Sequence, residues 1–163
     1  MYKRQEYDLA FYNKGIALSV TGNIQEAITC YDKAIEINPQ YADAYNNKGL
    51  SLYYLGDNQE AIACYDKAIE INPYYADAFY NKGMALSATS KFTEAIFSYE
   101  KTLEIDSDNV KALNGKSWIL ANQFPARINE ALETIKRALG IDPTDIDILY
   151  TFCLLYTSDA ADD

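Results

Sequence analysis

The feature that most constrains this chain is that it repeats itself. Residues 27–49, AITCYDKAIEINPQYADAYNNKG, and residues 61–83, AIACYDKAIEINPYYADAFYNKG, share 19 of 23 positions at an offset of 34 residues. The same frame carries Gly15, Gly49 and Gly83, then Ala27, Ala61 and Ala95, then Tyr31, Tyr65 and Tyr99, and closes on Pro39 and Pro73. A fixed period of this length means a row of supersecondary units, each too small to bury a core alone and each completed by its neighbours.

Each unit reads as two helices. Phe11, Gly15 and Leu18 share one face by three- and four-residue spacing, and so do Ala27, Tyr31 and Ala34. Small Gly and Ala residues at the crossing let the two backbones approach, with aromatic rings filling the space on either side. Gly22 and Gly56 suit a left-handed residue after a helix. Asn23 and Asp57, each followed three residues later by Glu26 or Glu60, read as capping boxes. Asn38 and Asn72 precede prolines, which drive them out of helical geometry and end the second helix. Downstream the frame loosens. Thr102 and Ser107 stand where the late Ala and Pro are expected, Ser117 replaces the glycine, and about two extra residues near Phe124 and Pro125 precede Ala131, Ala138 and Pro143. Ile146, Leu149, Tyr150 and Phe152 are apolar where a terminal unit should be polar. They read as the first helix of a further pair, with a sticky face open to self-association.

Composition narrows the function. The chain has 163 residues, 49% hydrophobic and 23% charged, enough to pack a core. No apolar run approaches the length of a membrane span, and no stretch near the start resembles a secretory leader, so a cytoplasmic setting is expected. With 14 basic and 24 acidic residues the net charge is −10, which argues against a nucleic-acid partner. There is no histidine, which removes the commonest acid–base, serine-triad and zinc chemistry. No phosphate-binding glycine loop occurs. Glu36, Glu70 and Glu104 recur with the repeat, as a solvated helix face does. Cys30 and Cys64 lie one repeat apart, and neither they nor Cys153 show metal-ligand spacing, so they are expected as core thiols in a reducing compartment. The expectation is therefore a non-enzyme with no metal and no cofactor.

The two ends read differently from the rest. CLLYTS at 153–158 reads like a translation of TGT CTC TTA TAC ACA TCT, and YKRQ at 2–5 like one of TAT AAG AGA CAG. These strings are overlapping reverse complements and resemble the transposon end used to prepare sequencing libraries, with DAAD fitting the adapter beyond it. Residues 1–5 and 153–163 are accordingly expected to be adapter-derived, and residues 6–152 to be a fragment of a longer reading frame.

The order aromatic, Gly, Leu, Ala, Tyr, Ala, Pro at 34-residue spacing resembles the tetratricopeptide repeat, from residue 8 to about residue 145. The resemblance implies an all-α fold, a right-handed α-solenoid of stacked antiparallel helix pairs. The units fall at 8–41, 42–75 and 76–109, with a divergent fourth at 110–145 and the start of a fifth at 146–152. It also implies a concave surface lined by the first helix of each pair, at the second, fifth, ninth and twelfth positions. Those positions are Leu9, Tyr12, Ile16 and Ser19; Asp43, Asn46, Leu50 and Tyr53, with Tyr54 beside them; Asp77, Tyr80, Met84 and Ser87; and Lys111, Asn114, Trp118 and Ala121. Asn13, Asn47 and Asn81 sit on the edge of this stripe. Tyr and Trp offer rigid contact area with a polar handle, Asn both donates and accepts, and Met84 adapts to shape.

The function this implies is a protein–protein interaction scaffold holding a peptide or partner protein in the groove. The competing reading is a regulatory or sensing module of a larger protein whose enzyme or transferase part lies elsewhere. Some relatives clamp acidic C-termini with Lys and Asn, then Asn, then Lys and Arg. The matching positions here hold Tyr12 and Ile16, then Asn47, then Asp77 and Asn81. Only Asn47 fits, and Asp77 would repel a carboxylate. A ligand with basic or amide groups suits Asp43 and Asp77 better.

Overall fold

The computed structural model describes the backbone of residues 2–159 and the side chains of residues 7–156. Residue 1 and residues 160–163, part of the ends read as adapter-derived, lie outside the described residues. Among the described residues nine α-helices run in order: α1 (Tyr2–Val20), α2 (Ile24–Ile37), α3 (Ala42–Leu55), α4 (Asn58–Ile71), α5 (Ala76–Ala88), α6 (Phe92–Ile105), α7 (Val110–Gln123), α8 (Ile128–Ile141) and α9 (Ile146–Asp159), with a 3-10 turn at Pro125–Arg127 before α8. Helices pack in consecutive pairs, and each pair packs on the next. The odd-numbered helices also touch one another along the stack, α1 on α3, α3 on α5, α5 on α7 and α7 on α9, whereas among the described residues no two even-numbered helices meet. A stack that brings one helix series closer together than the other must curve toward that series. The odd helices therefore form the inner wall.

Within a pair the contact differs from a simple approach of two backbones. The space left by each glycine is filled by the tyrosine sixteen residues on. A Cβ on Gly15 would lie 2.5 Å from Tyr31 Cε1, on Gly49 2.7 Å from Tyr65 Cε1, and on Gly83 2.6 Å from Tyr99 Cε1. The alanines of the frame, Ala27, Ala61, Ala95 and Ala131, are fully buried, as are Ala34, Ala68 and Ala138. The fourth pair solves the same problem with different residues. Ser117 replaces the glycine and donates its hydroxyl to Ala131 O at 2.8 Å, and the tyrosine is replaced by the smaller, fully buried Ile135.

The capping-box expectation is corrected. Neither Asn23 nor Asp57 caps its helix with its side chain. The preceding helix closes on itself through backbone bonds, Gly22 N to Ser19 O and Asn23 N to Leu18 O, then Gly56 N to Tyr53 O and Asp57 N to Leu52 O. This left-handed closure fixes Asn23 at φ −82°, ψ 60° and Asp57 at φ −80°, ψ 58°, away from the extended backbone from which a side chain reaches the next helix's amides. Gly22 and Gly56 supply the positive φ as expected, at 81° and 88°. The third turn repeats the geometry with Ser90, at φ 60°. Side-chain caps occur elsewhere: Asn109 accepts from Ala112 N at 3.0 Å, and Asp145 accepts from Asp147 N at 2.9 Å. Asn38 and Asn72 are driven out of helical geometry at the prolines, with ψ near 90°.

Candidate functional site

The inner wall begins with a cluster at the α1–α3 end. The Tyr12 ring lies 4.8 Å from Tyr41 and 6.1 Å from Tyr31, and its hydroxyl accepts from Asn47 Nδ2 at 3.0 Å. Asn46 Nδ2 donates to Asn47 Oδ1 at 3.4 Å, and Asn81 Nδ2 donates to Asn46 Oδ1 at 2.9 Å. A polar chain thus runs from α1 through α3 to α5. Asn46 and Asn81 are only 5% and 7% exposed, so much of their hydrogen-bonding capacity is spent on register between the inner helices. Asp43 accepts a hydrogen bond from the Tyr75 hydroxyl; burial first, and then Asp43, pushes that hydroxyl upward. Burial, with Tyr12 and Asp43 nearby, pushes Tyr41 up to about 12. Leu9 and Ile16 are exposed on α1.

Farther along, the wall opens into three adjoining clefts. The first, about 560 Å³, is lined by Asn46, Asn47, Leu50, Asp77, Tyr80, Asn81 and Lys111, together with Asp106, Asp108, Asn109 and Val110. The second, about 550 Å³, shares Leu50, Tyr80, Asn81 and Lys111 and adds Met84, Asn114, Tyr54, Tyr99, Gly115, Asp145, Asp147 and Ile148. The third, about 370 Å³, holds Tyr53, Met84, Tyr99 and the half-exposed Trp118. The residues read from the inner stripe therefore converge on these clefts, except Leu9, Tyr12, Ile16, Ser19, Asp43 and Ala121, which lie outside them.

Several lining residues escaped the sequence reading. Asp106, Asp108 and Asn109 precede α7, in the turn where Ser107 stands in place of proline. Asp147 occupies the second position of the fifth unit, equivalent to Asp43 and Asp77. The same stripe rule, carried past the two-residue insertion, would have found it. Asp77, Asp106, Asp108, Asp145 and Asp147 face a single lining cation, Lys111. Asp106 accepts from Asn109, Asp108 sits 3.6 Å from Arg137, and Asp145 caps α9. Among the described residues Asp77 and Asp147 enter no ion pair. The cleft surface thus carries surplus negative charge beside aromatic and amide groups. Among the described residues no group of three His, Cys, Asp or Glu side chains is placed to hold a metal ion, and no helix is long and apolar enough to cross a membrane.

Comparison with known proteins agrees with this architecture. A family model described as tetratricopeptide repeat matches residues 42–75 and 76–109, and a second, described as TPR repeat, matches residues 21–56. A comparison with curated proteins found no match. Among solved structures, MamA is 25% identical over 83% of this chain and 78% of its own, with a TM-score of 0.78. YrrB, a TPR protein with an unusual peptide-binding site, is 23% identical over 98% of this chain and 81% of its own, with a TM-score of 0.79. The first TPR of Spaghetti (RPAP3), bound to the HSP90 peptide SRMEEVD, is 28% identical over 70% of this chain and 90% of its own, with a TM-score of 0.69. On its repeat frame, its stacked helix pairs and these matches, the chain belongs to the tetratricopeptide repeat family.

Proposed function

We propose that this chain is a non-catalytic interaction scaffold that holds an extended segment of a partner protein along its inner wall. One observation carries the reading: the clefts adjoin along the odd helices and are lined by Tyr53, Tyr54, Tyr80, Met84 and Trp118 interleaved with amides and carboxylates. Aromatic residues give large contact area at low entropic cost, and amides match a peptide backbone. The peptide-bound relative supports a peptide ligand in outline but not in charge. SRMEEVD ends in acidic residues, whereas the clamp positions here hold Tyr12, Ile16, Asn47, Asp77 and Asn81. A neutral or basic segment fits better, because like charges across an interface are costly.

Selection of displayed random peptides on the full chain tests this. Enriched peptides are expected to bind the Tyr53→Ala, Tyr80→Ala double variant at least about tenfold more weakly, with the helical circular-dichroism signal unchanged. Equal binding to both forms refutes the groove.

A further inference from the structure

The cleft between α5, α7 and α9 contains acceptors that nothing in the chain uses. Tyr99 is 3% exposed, lines this cleft, and its hydroxyl makes no hydrogen bond to a described residue. Asn114 Oδ1 is buried and likewise has no partner. A buried polar atom left unpaired costs roughly 1–3 kcal/mol, so Asn114 Oδ1, beside the unengaged Tyr99 hydroxyl at the cleft wall, points to a group that arrives from outside. Gly115 keeps the opening clear. A Cβ there would lie 2.9 Å from Tyr99 Cζ and 3.1 Å from its hydroxyl oxygen, so a larger residue would crowd the ring. The Tyr80 ring stands 5.9 Å from the Tyr99 ring, and Asp147 completes the wall with a carboxylate in no ion pair.

We infer that this cleft is a subsite for an arginine side chain of the bound segment. The inference rests on the groove reading and adds the identity of one ligand residue. The chemistry selects a donor-rich planar cation. Asn114 Oδ1, the Tyr99 hydroxyl oxygen and the Asp147 carboxylate all accept hydrogen bonds, and Tyr80 presents an aromatic surface. A guanidinium brings five donors in a rigid plane and stacks on aromatic faces, whereas a lysine ammonium brings three donors on a compact, strongly hydrated charge. The two carboxylates of this cleft, Asp145 and Asp147, outweigh Lys111, which is exposed to solvent. A volume of about 550 Å³ lies within the range of ordinary ligand sites, roughly 300–1,000 Å³.

The test is an amide chemical-shift titration of the full chain with the blocked pentapeptide acetyl-Gly-Ala-Arg-Ala-Gly-amide. Parallel titrations use the same peptide with lysine, and with citrulline as a neutral isostere. The arginine peptide is expected to shift the Tyr80, Asn114 and Asp147 amides, with lysine about tenfold weaker and citrulline weaker still. Asp147→Asn keeps the shape of an exposed side chain and should weaken the arginine peptide about tenfold. Gly115→Ser should weaken it by crowding the Tyr99 hydroxyl; because that variant also strains packing, Asp147→Asn is the deciding one. Equal affinity for arginine and lysine, an unaffected Asp147→Asn, or no shifts at all overturns the subsite. Shifts confined to Tyr53 and Trp118 overturn it while leaving the groove standing. Selected peptides that ignore Tyr53 and Tyr80 overturn the groove itself.

Discussion

At the scale of single residues, the glycine and the tyrosine of each pair are one feature. Gly49 has no room for a side chain because Tyr65 already fills the space, 2.7 Å from where a Cβ would sit, with Ala61 O at 3.1 Å. Gly49→Ser alone is expected to cost about 1–3 kcal/mol through overpacking. Tyr65→Ile alone should also cost, about 2–4 kcal/mol, by leaving a void. Combined, they recreate the fourth pair, where Ser117 bonds Ala131 O above Ile135. They also remove the buried Tyr65 hydroxyl, which has no partner. The double variant should recover at least about 1 kcal/mol relative to the sum, read as a double-mutant cycle in urea unfolding; strict additivity would show the two positions to be uncoupled. Ser90 offers the opposite test. It adopts φ 60° where the earlier units use Gly22 and Gly56, so Ser90→Gly should stabilise by about 0.5–1 kcal/mol. A lower unfolding midpoint would contradict that. The sequence showed the recurring Gly and Tyr and the divergent Ser117, but not that Ile135 answers Ser117, because that pairing crosses the inserted 3-10 turn. Asn23 and Asp57 misled for a related reason: a good capping residue cannot cap when the preceding turn fixes its backbone.

At the scale of helices, a periodic ion pair ties each unit to the next. Lys48 on α3 meets Asp32 on α2 at 2.6 Å, and Lys82 on α5 meets Asp66 on α4 at 2.6 Å. Lys116 on α7 meets Glu100 at 2.9 Å and also Glu130 of α8 at 3.0 Å. Lys48→Met and Lys82→Met should each cost less than about 1 kcal/mol, as partly exposed pairs do. Lys116 is more enclosed, with a side chain 14% exposed, and it satisfies two carboxylates. Lys116→Met should therefore cost more, about 1–2 kcal/mol. Equal losses in denaturant midpoint at all three sites would show the second partner to be idle. The acid limb carries a sign. Burial alone would raise Glu130, but hydrogen bonds from Lys116 and Arg127 hold it below its ordinary value of 4.5. A depressed carboxylate stabilises the fold above its unfolded value, and that contribution disappears as pH falls through the folded value. Glu130→Gln should flatten the loss of stability below about pH 4.5, and an unchanged slope would dismiss the role. Helix order was legible because it follows from counting within a 34-residue frame, whereas the inner stripe came from the resemblance to the tetratricopeptide repeat. The ion pairs were not legible, although each lysine and each acid recurs visibly, because a separation of sixteen residues becomes a contact only once successive units are stacked. The side-chain bonds among Asn46, Asn47 and Asn81 were hidden for the same reason.

At the scale of the molecule, stability in a stacked array is a sum of local terms, and it need not be even along the stack. The centre is enclosed: α5 packs against α3, α4, α6 and α7. The far end is not. Among the described residues α9 packs only on α7 and α8, holding on through Ile148 and Leu155, while Ile146, Tyr150 and Tyr156 are 80%, 63% and 52% exposed. Opening α9 therefore uncovers little and should require less free energy than opening the centre. Hydrogen exchange followed by mass spectrometry is expected to show α9 amides exchanging well ahead of those in α3–α6. Ile148→Ala removes a fully buried anchor and should cost about 2–4 kcal/mol locally. It should abolish α9 protection while leaving α3–α6 exchange unchanged, whereas an equal rise throughout would mean that the whole array opens as one unit. Repeating the measurement at higher protein concentration separates two states of the exposed face. If copies of the chain cover Ile146 and Tyr150, mass action should raise α9 protection with concentration and leave the centre unaffected. Protection independent of concentration would mean that copies of the chain do not cover this apolar end over the range measured.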